Sequence, residues 1–124
     1  ETEIYVAMKS GTYIYNPTEN ILIQVLEEDI RPLTGLQDFV GVAPVNLIFV
    51  ADTSKITGKD ERGTVETAYV DTGFISQNTY LFCASFGLST VTRAMIDKGA
   101  LSAKLGLKES QLITLSQTVG YRQE

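Results

Sequence analysis

The chain has 124 residues, is 44% hydrophobic and 20% charged, and carries a formal net charge of −5, the size and make-up of one globular domain. It has no histidine and one cysteine, which excludes Ser-His-Asp and Cys-His catalysis, histidine-ligated metals, cysteine-rich zinc sites and an internal disulfide. The negative charge argues against a nucleic-acid partner, and no apolar run approaches the ~18 residues of a membrane span. The charge is uneven: residues 1–60 hold 4 basic and 9 acidic side chains, while residues 61–124 hold 6 of each. An anionic ligand is better tolerated by the second half.

The chain opens Glu1-Thr2-Glu3-Ile4, inside a predicted strand and without an initiator Met, so more chain is expected ahead of it. Residues 3–8 alternate, with Ile4, Val6 and Met8 on one face and Tyr5 and Ala7 on the other, which predicts a strand. Ser10-Gly11 signals a turn into a second strand, Thr12 to Tyr15. Asn16 to Asn20 reads as a loop and Ile21 to Leu26 as a third strand. Thr34 to Val40 resembles a short helix. Pro44 then introduces Val45 to Ala51, apolar at nearly every position and therefore a central strand buried on both faces. Residues 52–63 are polar and punctuated by glycine.

A long helix is predicted from Thr64, as N-cap, to Phe86. Ala68, Thr72, Ile75, Thr79, Phe82 and Phe86 share one face, and apolar residues continue almost all the way round. Such a helix belongs in the middle of a protein or across a dimer contact. Gly87 stops it. Ser89 to Met95 reads as irregular, Asp97 caps a short helix through Leu105, and Gln111 to Gly120 alternates as a last strand. The expected fold is α+β: a mixed, mostly antiparallel sheet with a long central helix, in one domain over residues 1–124.

The candidate chemistry is sparse. Cys83 lies mid-helix, far from any helix N-terminus or neighbouring cation that would activate a thiol, so packing is the better reading. Glu66 and Asp71 are five apart and fall on different helix faces. Glu27-Glu28-Asp29 lacks the spacing of a metal cluster. Gly87 to Arg93 matches no GxGxxG or Walker pattern. Arg93 and Arg122 either meet an anion or face water. No catalytic residue and no metal ligand is assigned.

The ordered residues nevertheless resemble a known family. Val70 to Leu88, with its Gln77-Asn78 pair and Gly87-Leu88 stop, is similar to the central helix of the FMN-dependent nitroreductase-like proteins. Ser89 to Asp97 looks like their flavin loop and Gln117-Thr118-Val119-Gly120-Tyr121 like their closing strand. Upstream, Tyr13-Ile14-Tyr15, Asp29-Ile30-Arg31, Gln37 to Val40 and Ala43-Pro44-Val45 are similar to the short branch allied to thiazoline/oxazoline oxidases. Two departures stand out. The family's N-terminal helical portion, with its arginine-containing phosphate segment, does not occur here, and Arg122 stands where proline is expected. The chain is therefore expected to be an N-terminally truncated portion of such a domain.

The resemblance implies an oxidoreductase that passes electrons from NAD(P)H through FMN to an electron-poor small molecule. It implies a homodimer with FMN at the subunit interface and the long helix in the contact. The backbone of Thr92, Arg93, Ala94 and Met95 would lie along the flavin edge, with the Met95 or Ala94 amide donating to N5. Arg93 and Arg122 would serve the phosphate or the pyrimidine end. Weak or absent FMN binding is expected of these 124 residues alone. A cytoplasmic location suits a chain without disulfides, although a preceding signal peptide is compatible with it. The alternative is a non-catalytic dimerisation or scaffold domain that has lost FMN.

Overall fold

The computed structural model of the protein describes residues 1–122. Six strands form one sheet: β1 (Thr2–Met8), β2 (Gly11–Asn16), β3 (Ile21–Leu26), β4 (Val45–Asp52), β5 (Leu88–Arg93) and β6 (Gln111–Tyr121). Their order across the sheet is β3-β2-β1-β4-β6-β5. Every neighbouring pair is antiparallel, so the α+β class holds and the sheet carries no parallel pair among the described residues. Two helices accompany it, α1 (Glu61–Phe86) and α2 (Lys98–Leu105). Among the described residues no helix is long and apolar enough to cross a membrane.

The helices take opposite faces of the sheet. Leu101 of α2 joins Tyr5, Ala7, Ile30, Ile48, Val50 and Ile113 in a closed apolar core. Thr72 of α1 meets Thr114, the residue after Ile113. Successive strand residues point to opposite faces, so α1 lies on the other side. The β1–β2 turn is closed by Gly11 at φ +145°, where a Cβ would lie 2.7 Å from the carbonyl oxygen of Leu26. Only glycine tolerates that combination of dihedral and contact.

Three local expectations are corrected. The segment expected as a helix from Thr34 to Val40 is two 3₁₀ turns, Arg31–Thr34 and Asp38–Gly41, separated by Gly35 in an extended conformation. Pro32 starts the first turn, and the Asn46 side-chain amide donates to the Val40 carbonyl at 2.7 Å, tying the second to β4. Helix α1 starts at Glu61 because Asp60, not Thr64, is the N-cap: its carboxylate accepts from the Gly63 amide at 2.8 Å, while the Thr64 hydroxyl donates to the Asp60 carbonyl. The stretch expected to be irregular after Gly87 is strand β5, paired with β6 from Leu88↔Tyr121 to Arg93↔Ser116.

The inward side of α1 is narrow. Ala68, Thr72, Ser76 and Cys83 are its buried residues. Phe82 and Phe86, which the helical spacing groups with Ala68 and Thr72, stack on each other with ring centroids 4.5 Å apart and are 56% and 68% exposed. Small side chains let the helix approach the sheet closely, and their hydroxyls bond to it: Thr72 Oγ1 to Thr114 Oγ1 at 2.7 Å and Ser76 Oγ to Gln117 Oε1 at 3.0 Å. Of the large apolar residues, Phe74, Leu81 and Phe86 are left exposed.

Candidate functional site

The region singled out by the sequence begins at the end of β5. The residues of that strand alternate between the two faces. The Thr92 hydroxyl turns to the α1 side, against Ser76 Oγ, and the Thr92 amide donates to the Tyr80 hydroxyl at 2.7 Å. Arg93 turns to the opposite side and is buried. Beyond it the ladder stops. Ala94 and Met95 are exposed, and their amides find no acceptor among the described residues. The Met95 carbonyl is held, accepting from the Leu36 amide at 3.0 Å. A backbone N–H without a partner is satisfied by water or by a ligand. The Ile96 and Asp97 amides likewise find no acceptor among the described residues, so Ala94 and Met95 begin a run of free donors between the end of β5 and the start of α2.

The side chain of Arg93 is committed inside the fold. Its Nε donates to Thr118 Oγ1 at 2.7 Å and its Nη1 to the Thr34 carbonyl at 2.7 Å. Its Nη2 donates to Asn46 Oδ1 at 3.1 Å and Ser116 Oγ at 3.0 Å. All these partners are neutral, and burial pulls its pKa below the usual arginine value. Arg122 is exposed and follows Tyr121, which pairs with Leu88 at the other end of β5. Five residues of strand, roughly 17 Å at about 3.4 Å per residue, separate the two backbones. The structure thus brings Thr92, Arg93, Ala94 and Met95 together and leaves Arg122 apart.

The other chemistry-bearing residues have structural roles. Desolvation pushes the Cys83 thiol up, so the reactive thiolate is disfavoured. Glu66 pairs with Arg62 on the helix surface at 2.9 Å. Glu28 meets Lys104 at 2.6 Å and Asp29 meets Arg31 at 2.8 Å. The guanidinium of Arg31 holds the Asp29 carboxyl below its usual pKa. Among the described residues no three histidine, cysteine, aspartate or glutamate side chains gather as metal ligands would.

Several residues around the site have no signal in the sequence reading. Tyr80, Thr34 and Gly35 reach it only through tertiary contacts. Asn46 is the exception in principle, because a polar residue inside the apolar run Val45 to Ala51 requires buried partners. Its partners are Val40, Arg93 and Thr118.

Chemically, the 94–95 backbone offers neutral donors and no proton-transfer group. That suits an acceptor atom on a ligand that brings its own reactivity. A second feature lies on the α1 face. An open apolar cavity of about 580 Å³ separates Leu47 and Val119 of the sheet from Ile75 and Phe82 of α1. The face that carries α1 is only partly covered.

The chain is similar to known proteins over its described length. The profile of the Nitroreductase family matches residues 1–121. A protein of Methanocaldococcus jannaschii named as a nitroreductase is 28% identical over 117 residues, covering 89% of this chain and 58% of its own length. A Ralstonia eutropha protein, described as a nitroreductase in its crystal structure, is 34% identical and superposes with a TM-score of 0.90 over 99% of this chain and 59% of its own. The NADPH:FMN oxidoreductase of Vibrio harveyi, solved with NAD+, shares the fold at a TM-score of 0.62 and 23% identity, over 74% of this chain and 44% of its own. The chain spans about three-fifths of the length of the first two relatives. With the family profile running from the first residue to the end of β6, the chain belongs to the nitroreductase family.

Proposed function

We propose that the complete protein is an FMN-dependent oxidoreductase of the nitroreductase type, taking electrons from NAD(P)H and delivering them to an electron-poor small molecule. The observation that carries this reading is the run of acceptor-less amides that starts with Ala94 and Met95, at the end of a strand in a chain of this family. These residues fit the ring edge of a flavin. They supply two neutral donors, and the nearest carboxylate in sequence, Asp97, is occupied as the N-cap of α2, accepting from the Ala100 amide at 3.1 Å. FMN when bound supplies hydride acceptance and onward transfer at its ring. The chain's own part is to orient that ring with the Thr92–Met95 backbone and to enrich the N5 edge in hydrogen-bond donors.

The phosphate is a different matter. Arg93 is buried with four of its five N–H donors engaged inside the fold, and Arg122, which is exposed, lies at the far end of β5. In the proposed enzyme the phosphate is bound mainly by parts of the protein other than residues 1–122, with Arg122 as an auxiliary cation. Dimerisation belongs to the same proposal. The outward apolar side of α1, with Phe74, Leu81, Phe82 and Phe86 all more than half exposed, is the surface that a second copy covers. A cytoplasmic location completes it.

The test is spectroscopic. Full-length protein is expected to purify with flavin absorbance, or to acquire it with added FMN, and to be bleached anaerobically by NADH or NADPH. Residues 1–124 alone are expected to bind FMN weakly or not at all. A full-length dimer that stays colourless in excess FMN would support a scaffold role instead.

A further inference from the structure

We infer that Arg93 is a positioning residue that sets the geometry of the 94–95 donor pair, and not an anion ligand. The inference rests on the flavin reading for its functional meaning, and on the hydrogen-bond network for its substance. One guanidinium joins three separate parts of the chain: the Thr34 carbonyl in the first 3₁₀ turn, Asn46 on β4, and Ser116 and Thr118 on β6. The network continues outward. Thr118 donates to Asn46 Oδ1 at 2.7 Å, Asn46 donates to the Val40 carbonyl, and Ser116 donates to the Leu47 carbonyl at 2.6 Å. Phe39 covers the guanidinium, its ring centroid 6.0 Å from Cζ.

The geometric consequence falls on Met95. Arg93 holds Thr34 through its side chain, and two residues later the Leu36 amide grips the Met95 carbonyl. The loop after β5 is therefore fastened twice to the same segment, once through Arg93 and once through Met95. Releasing Thr34 releases Leu36, and with it the Met95 carbonyl, the anchor that holds the far end of the 94–95 segment while β5 holds its start. Gly35 between them reports how closely the parts fit: a Cβ there would fall on Arg93 Nη1, at 1.9 Å. The planar guanidinium is suited to this task, because it offers five donors in a fixed fork, which an ammonium does not.

The experiment uses full-length protein with Arg93→Met, Arg93→Lys and Gly35→Ala. The first arm is flavin-free. Amide exchange at Leu36 is expected to accelerate about tenfold or more in all three variants, the scale of one lost hydrogen bond of about 1.4 kcal/mol, while exchange at Phe49 in β4 is unchanged. The second arm compares FMN with riboflavin, which lacks the phosphate. A positioning role weakens both by the same factor. Loss of FMN affinity alone, with riboflavin untouched, would make Arg93 a phosphate ligand and overturn the inference, as would wild-type exchange at Leu36. Gly35→Ala keeps the arginine and its charge, so it carries the test if Arg93→Met does not fold. Should the wild-type protein take up neither flavin, the functional reading falls, and the exchange arm alone decides the clamp.

Discussion

The two faces of the sheet are built on different principles. On the α2 face, Tyr5, Ala7, Ile48, Val50, Ile113 and Leu101 make a dry core that is complete within the chain. On the α1 face the contact is made by small and hydroxylated residues, while Phe74, Leu81 and Phe86 are exposed and Ile75 and Phe82 border an open cavity. A helix that packs with its polar-small side and presents its aromatic side is only half used by its own domain. The difference teaches that hydrophobicity on a helix says how much surface must be covered, and not which neighbour covers it.

The comparison breaks most visibly at the outward side of α1. In the full-length protein, Phe74→Asp is expected to abolish the dimer at micromolar concentration. Burying a phenylalanine is worth roughly 1.5–3 kcal/mol, and a two-fold contact counts it twice, so the loss is about 3–6 kcal/mol. Sedimentation velocity reads it, and an unchanged dimer would put the contact elsewhere. The same substitution is expected to leave the α2-face core intact.

Leu101→Ala probes the closed face. Truncating a fully buried leucine costs roughly 2–5 kcal/mol, expected as a lower urea midpoint with no change in oligomeric state. At the site itself, Met95→Pro removes an amide donor and is expected to weaken FMN binding by about 1–3 kcal/mol, with added backbone distortion. Met95→Ala keeps the amide and is expected to be mild. Equal, near-wild-type affinities in titrations of both variants would place the flavin elsewhere. The smallest effect is at the start of α1: Asp60→Ala should cost about 1 kcal/mol in thermal unfolding, and more than Thr64→Ala, because Asp60 is the cap.

Much of the framework was legible because its signals are local. Alternation over residues 3–8 and 111–120 and the apolar run at Val45 gave β1, β6 and β4, and Asp97 with Gly106 bracketed α2. What was missed depends on partners far along the chain. Strand β5 is short and polar, and it exists because β6, more than twenty residues later, pairs with it. Gly35 broke an apparent helix because its neighbours are fastened to Arg93 and Met95. Arg93 itself looked like a free cation, since arginines are rarely buried. Nothing in its neighbours along the sequence announces four neutral partners drawn from three elements. The stretch Thr92 to Met95 was singled out only through the resemblance, and its amides are not alike: that of Thr92 is taken by Tyr80, while those of Ala94 and Met95 are free among the described residues.

The outermost strand on the side away from β5 has a bearing on handling the protein. In β3, Ile21, Leu22, Ile23 and Val25 are each more than 40% exposed, and the strand has a sheet neighbour on one side only. It contains no charge and no proline, the usual guards of such a position. A short, uncharged, β-branched strand with an open hydrogen-bonding edge is a template for adding further strands. Made by itself, a polypeptide of these 124 residues presents that template to every other copy, so β3 joins the outward side of α1 as a surface on which copies associate.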